Sequence, residues 1–358
     1  MEKRTRLSYK GLDILRIICA VFVVTIHFQP FGPSEAAGML NFRFVQYFSR
    51  NAVPLFFIIS SFFLFNKTVS DGRIDMGAVL RKCWEYYRLY LIWTVIYLFM
   101  IIKSYTHGRK TVLELIRDFF FCGSYLHLWY LPALITGILI VALLIKAGLK
   151  KRTVLLISCF LYLIALLGHT YFNLLAPLRK ASDTFDTIQS VYFKIFYTTR
   201  NGVFEVPLFV CLGYLLSEKE KNGSDKRIKD HILPLLLFFA LEVAEAELVH
   251  AFGLAREADF YITTPLLCFV IFEIFKGIGT ETADEEKGKY RFMRDCASYM
   301  YFVQMYVGMA VKDVLDIFYP AKTGKHYLFL PVLAGSFLVS CVIIRCSKIL
   351  VNRRLNVV

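Results

Sequence analysis

The sequence predicts an all-α, polytopic bundle of about ten membrane helices with both termini in the cytoplasm. Three observations carry that prediction. Hydrophobic residues make up 57% of the 358-residue chain, aromatics 16%, and mean hydropathy is +0.54, a composition foreign to soluble domains. Apolar runs recur at or near the roughly 17–25 residues that a helix needs to cross hydrocarbon. Basic residues gather between alternate runs, as the positive-inside rule requires.

The runs are 11–29, 47–66, 86–102, 126–146, 153–170, 202–217, 232–250, 259–276, 297–315 and 327–349. The first follows Lys3 and Arg4 as a secretory signal would, but Asp13 and Arg16 lie within it and no small-residue cleavage site follows, so it reads as a retained span. The second contains the uncharged stretch AVPLFFIISSFFLF at 52–65, preceded by Arg50. The fourth opens on His127 and Trp129. The sixth is the shortest, and the seventh holds Glu242, Glu245 and Glu247, which must face the bundle or water.

Loop charges test the sidedness independently. The side bearing the termini, which includes Lys3, Arg4, Arg6 and the 218–231 loop with Ser224, holds 26 basic residues, and the alternate loops hold 14. Both termini are therefore expected in the cytoplasm and the 30–46, 103–125 and 171–201 loops outside. The net charge of +14 reads as topology and not as nucleic-acid binding. The nine cysteines lack paired spacing, which argues for small apolar packing and against a disulfide framework or metal site. No linker or low-complexity tract interrupts the runs, so residues 1–358 read as one transmembrane domain. No phosphate-binding loop, nucleophile elbow or zinc-protease motif is present.

Arg16 and His27 are the informative pair. Eleven residues at about 100° each make three turns and about 20°, so both side chains project from one face, roughly 16 Å apart along the axis. Ionisable groups inside an apolar helix mark function. The planar guanidinium suits phosphate, and Asp13 at i−3 orients its fork. The imidazole deeper along the stripe suits proton transfer.

The segment LDILRIICAVFVVTIHF resembles the opening helix of the membrane acyltransferase-3 family, whose arginine, ten intervening residues and histidine are met by Arg16 and His27. Four further stretches resemble that family in order: AVPLFFIISSFFLF, HLWYLPALI, RNGVFEVPLFVCLGYLL and SYMYFVQMY, at 52–65, 127–135, 200–216 and 298–306. Ser60-Ser61 stands where relatives commonly read Ser-Gly, Gln304 stands where many carry a histidine, and the arginine pattern near the third span is loosely met by Arg81, Lys82 and Arg88.

The resemblance implies O-acyl transfer, usually of acetyl, from cytoplasmic acetyl-CoA to a carbohydrate hydroxyl at the outer face of a cell membrane, in all expectation the bacterial cytoplasmic membrane. On that scheme Arg16, with Asp13, Arg88, Ser60 and Tyr301, serves the donor and His27 the chemistry. Tyr299 and Gln304 also border the donor path. His127, Trp129, Arg200, Asn201 and Glu242 are acceptor-side candidates, although belt aromatics and rim histidines are often only interfacial anchors. Glu242 and Glu245 are expected either to line an acceptor channel or to pair with Arg200. No metal is called for. The alternative class is a secondary transporter or flippase of a sugar-containing substrate, with histidine as proton relay, and a third is a sensing module. The acceptor identity and oligomeric state are not legible.

Overall fold

The computed structural model describes residues 9–32, 34–70, 72–108, 111–223, 227–279, 284–318 and 325–355. Lys3, Arg4, Arg6 and Ser224 lie outside the described residues. In chain order the elements are α1 (Lys10–His27), α2 (Glu35–Tyr47), α3 (Ala52–Thr68), β1 (Val69–Ser70), β2 (Arg73–Ile74), α4 (Met76–Ile96), α5 (Leu98–Gly108) and α6 (Val112–Arg117). There follow α7 (Tyr130–Lys146), α8 (Lys151–Leu167), α9 (Ala176–Ala181), α10 (Asp183–Phe196), α11 (Val206–Lys221) and α12 (Ile232–Ala251). The last are α13 (Thr264–Lys276), α14 (Asp284–Phe318) and α15 (Lys325–Leu355). The architecture is all-α apart from the antiparallel β1–β2 pair, in which Val69 faces Ile74.

Every predicted span falls on a helix, but few of those helices are long and apolar throughout. Among the described residues Glu35–Thr68, Leu126–Lys146 and His326–Ser347 qualify by length and composition, and two bent pairs raise the number to five at most. Elsewhere α11 and α13 are short, at 16 and 13 residues, α1 holds Lys10, Asp13 and Arg16, and α12 holds three glutamates.

The bends correct the expectation of straight spans. Met76–Ile96 and Leu98–Gly108 meet at 66°, inside the run 86–102. No proline or glycine stands there. Tyr97 is fully buried and stacks on Tyr125 with ring centroids 5.0 Å apart, so side-chain packing anchors the corner. Lys151–Leu167 and Phe172–Ala181 meet at 80°. Gly168 permits that corner because a Cβ there would lie 2.2 Å from Thr199 Cγ2. Three expected loops also prove helical in part. The 30–46 segment holds most of α2, capped by Ser34 accepting from Ala37 N–H at 3.2 Å, 103–125 holds α6 with a Thr111–Glu114 capping box, and 171–201 holds α9 and α10. Local caps set these starts, and a hydropathy window does not register them.

Two compact units divide the chain. The first comprises 1–56, 227–236 and 270–358. In it α1 packs on α14 and α15, with Ala20 against Cys296, Ala297 and Met300, and with Val24 and Phe28 against Leu328 and Val332. These positions recur every three or four residues, the period of a buried helix face.

The second unit comprises 57–226 and 237–269. Here α7, α8 and α11 form the centre, with Val141, Ala142, Val154, Phe209 and Val210 fully buried. Helix α11 meets α3 closely, because a Cβ on Gly213 would lie 2.0 Å from Ser61 Oγ and 2.6 Å from Ile58 O. Ser61 turns its hydroxyl back onto Phe57 O at 2.7 Å. At one end of the unit Glu218 accepts from Lys221 and pairs with Lys151, each at 2.9 Å, and Lys221 also donates to Val69 O at 2.6 Å. One charged clip therefore ties together α8, α11 and the β1 strand.

Candidate functional site

In the first unit, α1 carries Asp13, Arg16 and His27 on one uninterrupted helix. At ~100° per residue the stripe of Arg16, Cys19, Val23 and His27 is centred about 110° round from the face that meets α14 and α15. Cys19 and Val23 are buried, so a dry apolar middle separates the two polar ends. Arg16 Nη1 donates to Asp13 Oδ1, and both side chains are largely buried. Arg294 of α14 also acts on that carboxylate. The Asp13 carboxylate thereby fixes the plane of the Arg16 fork. His27 is half-buried in the last turn of α1.

Tyr301 is buried on α14, edge-on to Phe56 at 6.2 Å and to Phe302 at 5.2 Å. Gln304 is fully buried and donates through Nε2 to Tyr301 O at 3.0 Å. Tyr299 packs against the Ala20 cluster.

In the second unit the candidates separate into several places. Ser60 shares a hydrogen bond with the Tyr130 hydroxyl at 3.1 Å, and Tyr130 stacks on Phe57 at 4.8 Å. Arg88 is exposed on α4. His127 is only 2% exposed, with its ring edge-on to Tyr97 at 5.1 Å and to Tyr125 at 6.2 Å. Tyrosine rings therefore enclose His127, which is not a solvated rim residue. Gly123 makes the turn before it possible, with φ at 82° and a Cβ position 2.3 Å from Trp129 N.

Arg200 and Trp129 do meet, the guanidinium lying 4.9 Å over the indole. Arg200 pairs with neither Glu242 nor Glu245, contrary to one expected arrangement: Nη1 donates to Asp259 Oδ2. Glu245 is already engaged, accepting from Tyr171, from Ile262 N–H at 2.6 Å and from Thr263 N–H at 3.1 Å. Glu242 is buried on α12. Asn201 spends both ends of its amide on the chain, donating to Thr198 O at 2.8 Å and accepting from Val203 N–H at 2.9 Å. It shapes the turn ahead of α11.

His169 and Asp259, absent from the sequence-derived set, complete this cluster. His169 Nε2 lies 3.2 Å from Asp259 Oδ2, and its ring stacks flat on Phe260 at 5.0 Å with an interplanar angle of 4°. Burial alone would depress Arg200, but the charges of Asp259, Glu205 and Glu257 outweigh it and hold the guanidinium above its usual range. Burial, reinforced by the Glu245 carboxylate, pushes the Tyr171 phenol up and keeps it a donor. His169, Glu257 and Asp259 have the spacing of a cation site, yet Arg200 already sits on the Asp259 oxygen such an ion would use. The cluster is neutralised from within.

Comparison with known proteins agrees with the motif order. A "Serine/alanine racemase" of Enterococcus gallinarum is 31% identical over 268 residues, covering 74% of this chain and 37% of that protein. An "Amino-acid racemase" of Enterococcus faecalis is 27% identical over 353 residues, covering 97% of this chain and 46% of the relative. The chain thus spans between a third and a half of the length of these curated relatives. No solved structure matches. The model of the acyltransferase family 3 domain matches residues 9–345, taking in α1 with its Arg16–His27 stripe and nearly all that follows, and the chain belongs to that family of membrane acyltransferases.

Proposed function

We propose that this chain is an integral-membrane O-acyltransferase that moves an acyl group, acetyl in the first place, from cytoplasmic acyl-CoA to a hydroxyl of a cell-surface or lipid-linked carbohydrate. One observation carries the reading: a buried arginine, oriented by Asp13, shares a helix face with His27 across a dry apolar interval. The fixed planar fork fits a phosphate-bearing donor. On this scheme the bundle crosses the membrane ten times with both termini in the cytoplasm, so donor and acceptor approach from opposite sides.

Acyl-CoA supplies the activated thioester when bound. Arg16 would hold its phosphates near the cytoplasmic end of α1, with Asp13 keeping the fork in plane. His27 would take the proton of the acceptor hydroxyl at one ring nitrogen and pass it on to the leaving thiol. Tyr301 in the first unit, and Ser60 and Arg88 in the second, are each proposed to serve the donor. Trp129 and Arg200 are proposed as an acceptor-side platform, with His127 behind it and Asn201 and Glu242 supporting it. His169 and Asp259 hold the Arg200 plane.

The reading is tested with purified protein and radiolabelled acetyl-CoA. Glycan-dependent release of CoA is expected, and His27→Ala should lose roughly 10²–10⁴-fold in turnover while still binding CoA. Near wild-type turnover in that variant would end the mechanism. A second reading, a secondary transporter or flippase of a sugar-containing substrate, draws on the half-buried His27 in the apolar helix α1 as a proton relay. Uptake of solute into vesicles without CoA release would select it.

A further inference from the structure

The second unit carries another built feature, away from Arg200. A cavity of about 480 Å³ is lined by Arg117, Phe172, Arg179, Phe193, Lys194 and Arg256, together with three polar side chains. That size lies within the roughly 300–1,000 Å³ of small-molecule sites. Arg117 is already neutralised, donating through Nε and Nη2 to Asp118 Oδ1 at 2.9 and 2.7 Å. Arg179, Lys194 and Arg256 make no ion pair among the described residues, so three cations converge without a bound carboxylate.

Two of those cations are fixed in plane. Arg179 lies 4.0 Å over the Phe172 ring and donates to Phe172 O at 2.9 Å, and Arg256 lies 4.4 Å over Phe193. Stacking holds each guanidinium by its face; Arg179 Nη1 is spent on Phe172 O and, at 3.4 Å, on Gln189 Oε1, which leaves the other N–H groups of Arg179, the edge of Arg256 and the Gln189 amide N–H groups to a ligand. The remaining lining residues, Asp186, Gln189 and Ser190, are hydrogen-bond partners for hydroxyl groups.

Helix α10 places the cavity relative to the membrane. Asp186, Gln189, Ser190, Phe193 and Lys194 recur at helical spacing on its cavity side, while Ile188, Val191 and Ile195 form an exposed apolar stripe on another side. A helix so divided suits the membrane interface, its polar face toward water. Cations alone would serve a lipid phosphate. Cations interleaved with a carboxylate, an amide and a hydroxyl serve a polyhydroxylated acid better.

We propose that this cavity is a recognition site for an acidic carbohydrate, a sugar bearing a carboxylate or phosphate, the anion held by Arg179, Lys194 and Arg256 and the hydroxyls by Asp186, Gln189 and Ser190. It names the acceptor class and rests on the transferase reading above.

The test is equilibrium binding to the full chain in neutral-lipid nanodiscs with no acyl donor present. Probes are a labelled galacturonate hexamer, mannose 6-phosphate and a neutral maltohexaose, which separate carboxylate from phosphate from uncharged sugar. One or both acidic probes should bind, and the neutral hexamer should not. Arg256→Gln and Lys194→Gln, both at exposed positions that leave the fold intact, should each weaken binding on the order of tenfold, as for loss of one charge-assisted contact. Lys180→Gln, an equal charge change outside the cavity, should not.

Equal binding of neutral and acidic probes, no effect of either cavity variant, or an equal effect of Lys180→Gln would overturn the site. Binding only to phosphatidylglycerol discs, with no sugar bound, would overturn it in favour of lipid. Because this binding is read with no donor present, it is independent of the radiolabelled acetyl-CoA assay: acidic-sugar binding here with no CoA release in that assay would retain the site and remove the transferase reading, and CoA release there without such binding would do the reverse.

Discussion

At the scale of single residues, Arg16 is where binding and chemistry come apart. Its Nη1 is already set by Asp13, and lysine would offer only a point charge in place of an oriented fork. Arg16→Lys should weaken the affinity for a non-hydrolysable CoA thioether in part, and Arg16→Ala by on the order of a few kcal/mol if the site is dry. Calorimetry reads both. Unchanged affinity in the pair would move the donor elsewhere. This residue was legible because a charge in an apolar run has few structural excuses, and the helix period ties it to Asp13 and His27. His169 and Asp259 were not, since they stand 90 positions apart and each lies at the end of an apolar run, where a polar residue reads as a boundary. Arg200 was found, but Asp259 was not foreseen as its partner, and pairing with Glu242 or Glu245 stood only as one of two expected arrangements, because sequence gives no distance between one helix and the next.

Among elements, the contact of α3 with α11 shows how one departure is accommodated. Ser61 stands where the family resemblance leads one to expect glycine, and the space for its hydroxyl comes from Gly213 opposite. Gly213→Ala should therefore cost about 1–3 kcal/mol by overpacking, and Ser61→Gly in the same protein should restore part of it, the clash with Ile58 O remaining. Thermal melting in micelles measures both, and a fully stable single variant would contradict the packing. The clip on Glu218 sets a pH response. Burial disfavours its charge, but hydrogen bonds from Lys221 and Lys151 outweigh that and hold the carboxyl below its ordinary 4.5. A depressed carboxyl stabilises the fold above the unfolded value and ceases to as pH falls through the folded one. Glu218→Gln should thus melt lower at pH 7, with the gap to the parent closing below pH 4.5. A constant gap down to the acid limit would show that the clip contributes nothing. Helix existence was readable from hydropathy. The corners at Tyr97 and Gly168 were not, because apolar sequence continues straight through both.

For the whole molecule, the decisive property is sidedness. On the proposed topology, the bias of 26 to 14 basic residues leads us to expect Ser34, an exposed cap of α2, and Thr184, exposed at the start of α10, outside the cell. Cysteines at either position, in a background without the native nine, should react with an impermeant maleimide in intact cells, and one at Ser224 only after lysis. The opposite pattern would leave Arg16 facing a compartment without CoA.

The short helices have a further consequence for the lipid around them. At about 1.5 Å per residue, α8 with 17 residues, α11 with 16 and α13 with 13 reach roughly 26, 24 and 20 Å, short of the ~30 Å hydrocarbon thickness of an ordinary bilayer. Hydrophobic mismatch of this sign draws the surrounding leaflets together. On the proposed ten-span scheme the bilayer beside the outward side of α8, where Leu156, Phe160 and Leu163 are exposed, is expected to thin, which would shorten the distance that an acyl group must travel, and lipids with long acyl chains are expected to oppose the transfer.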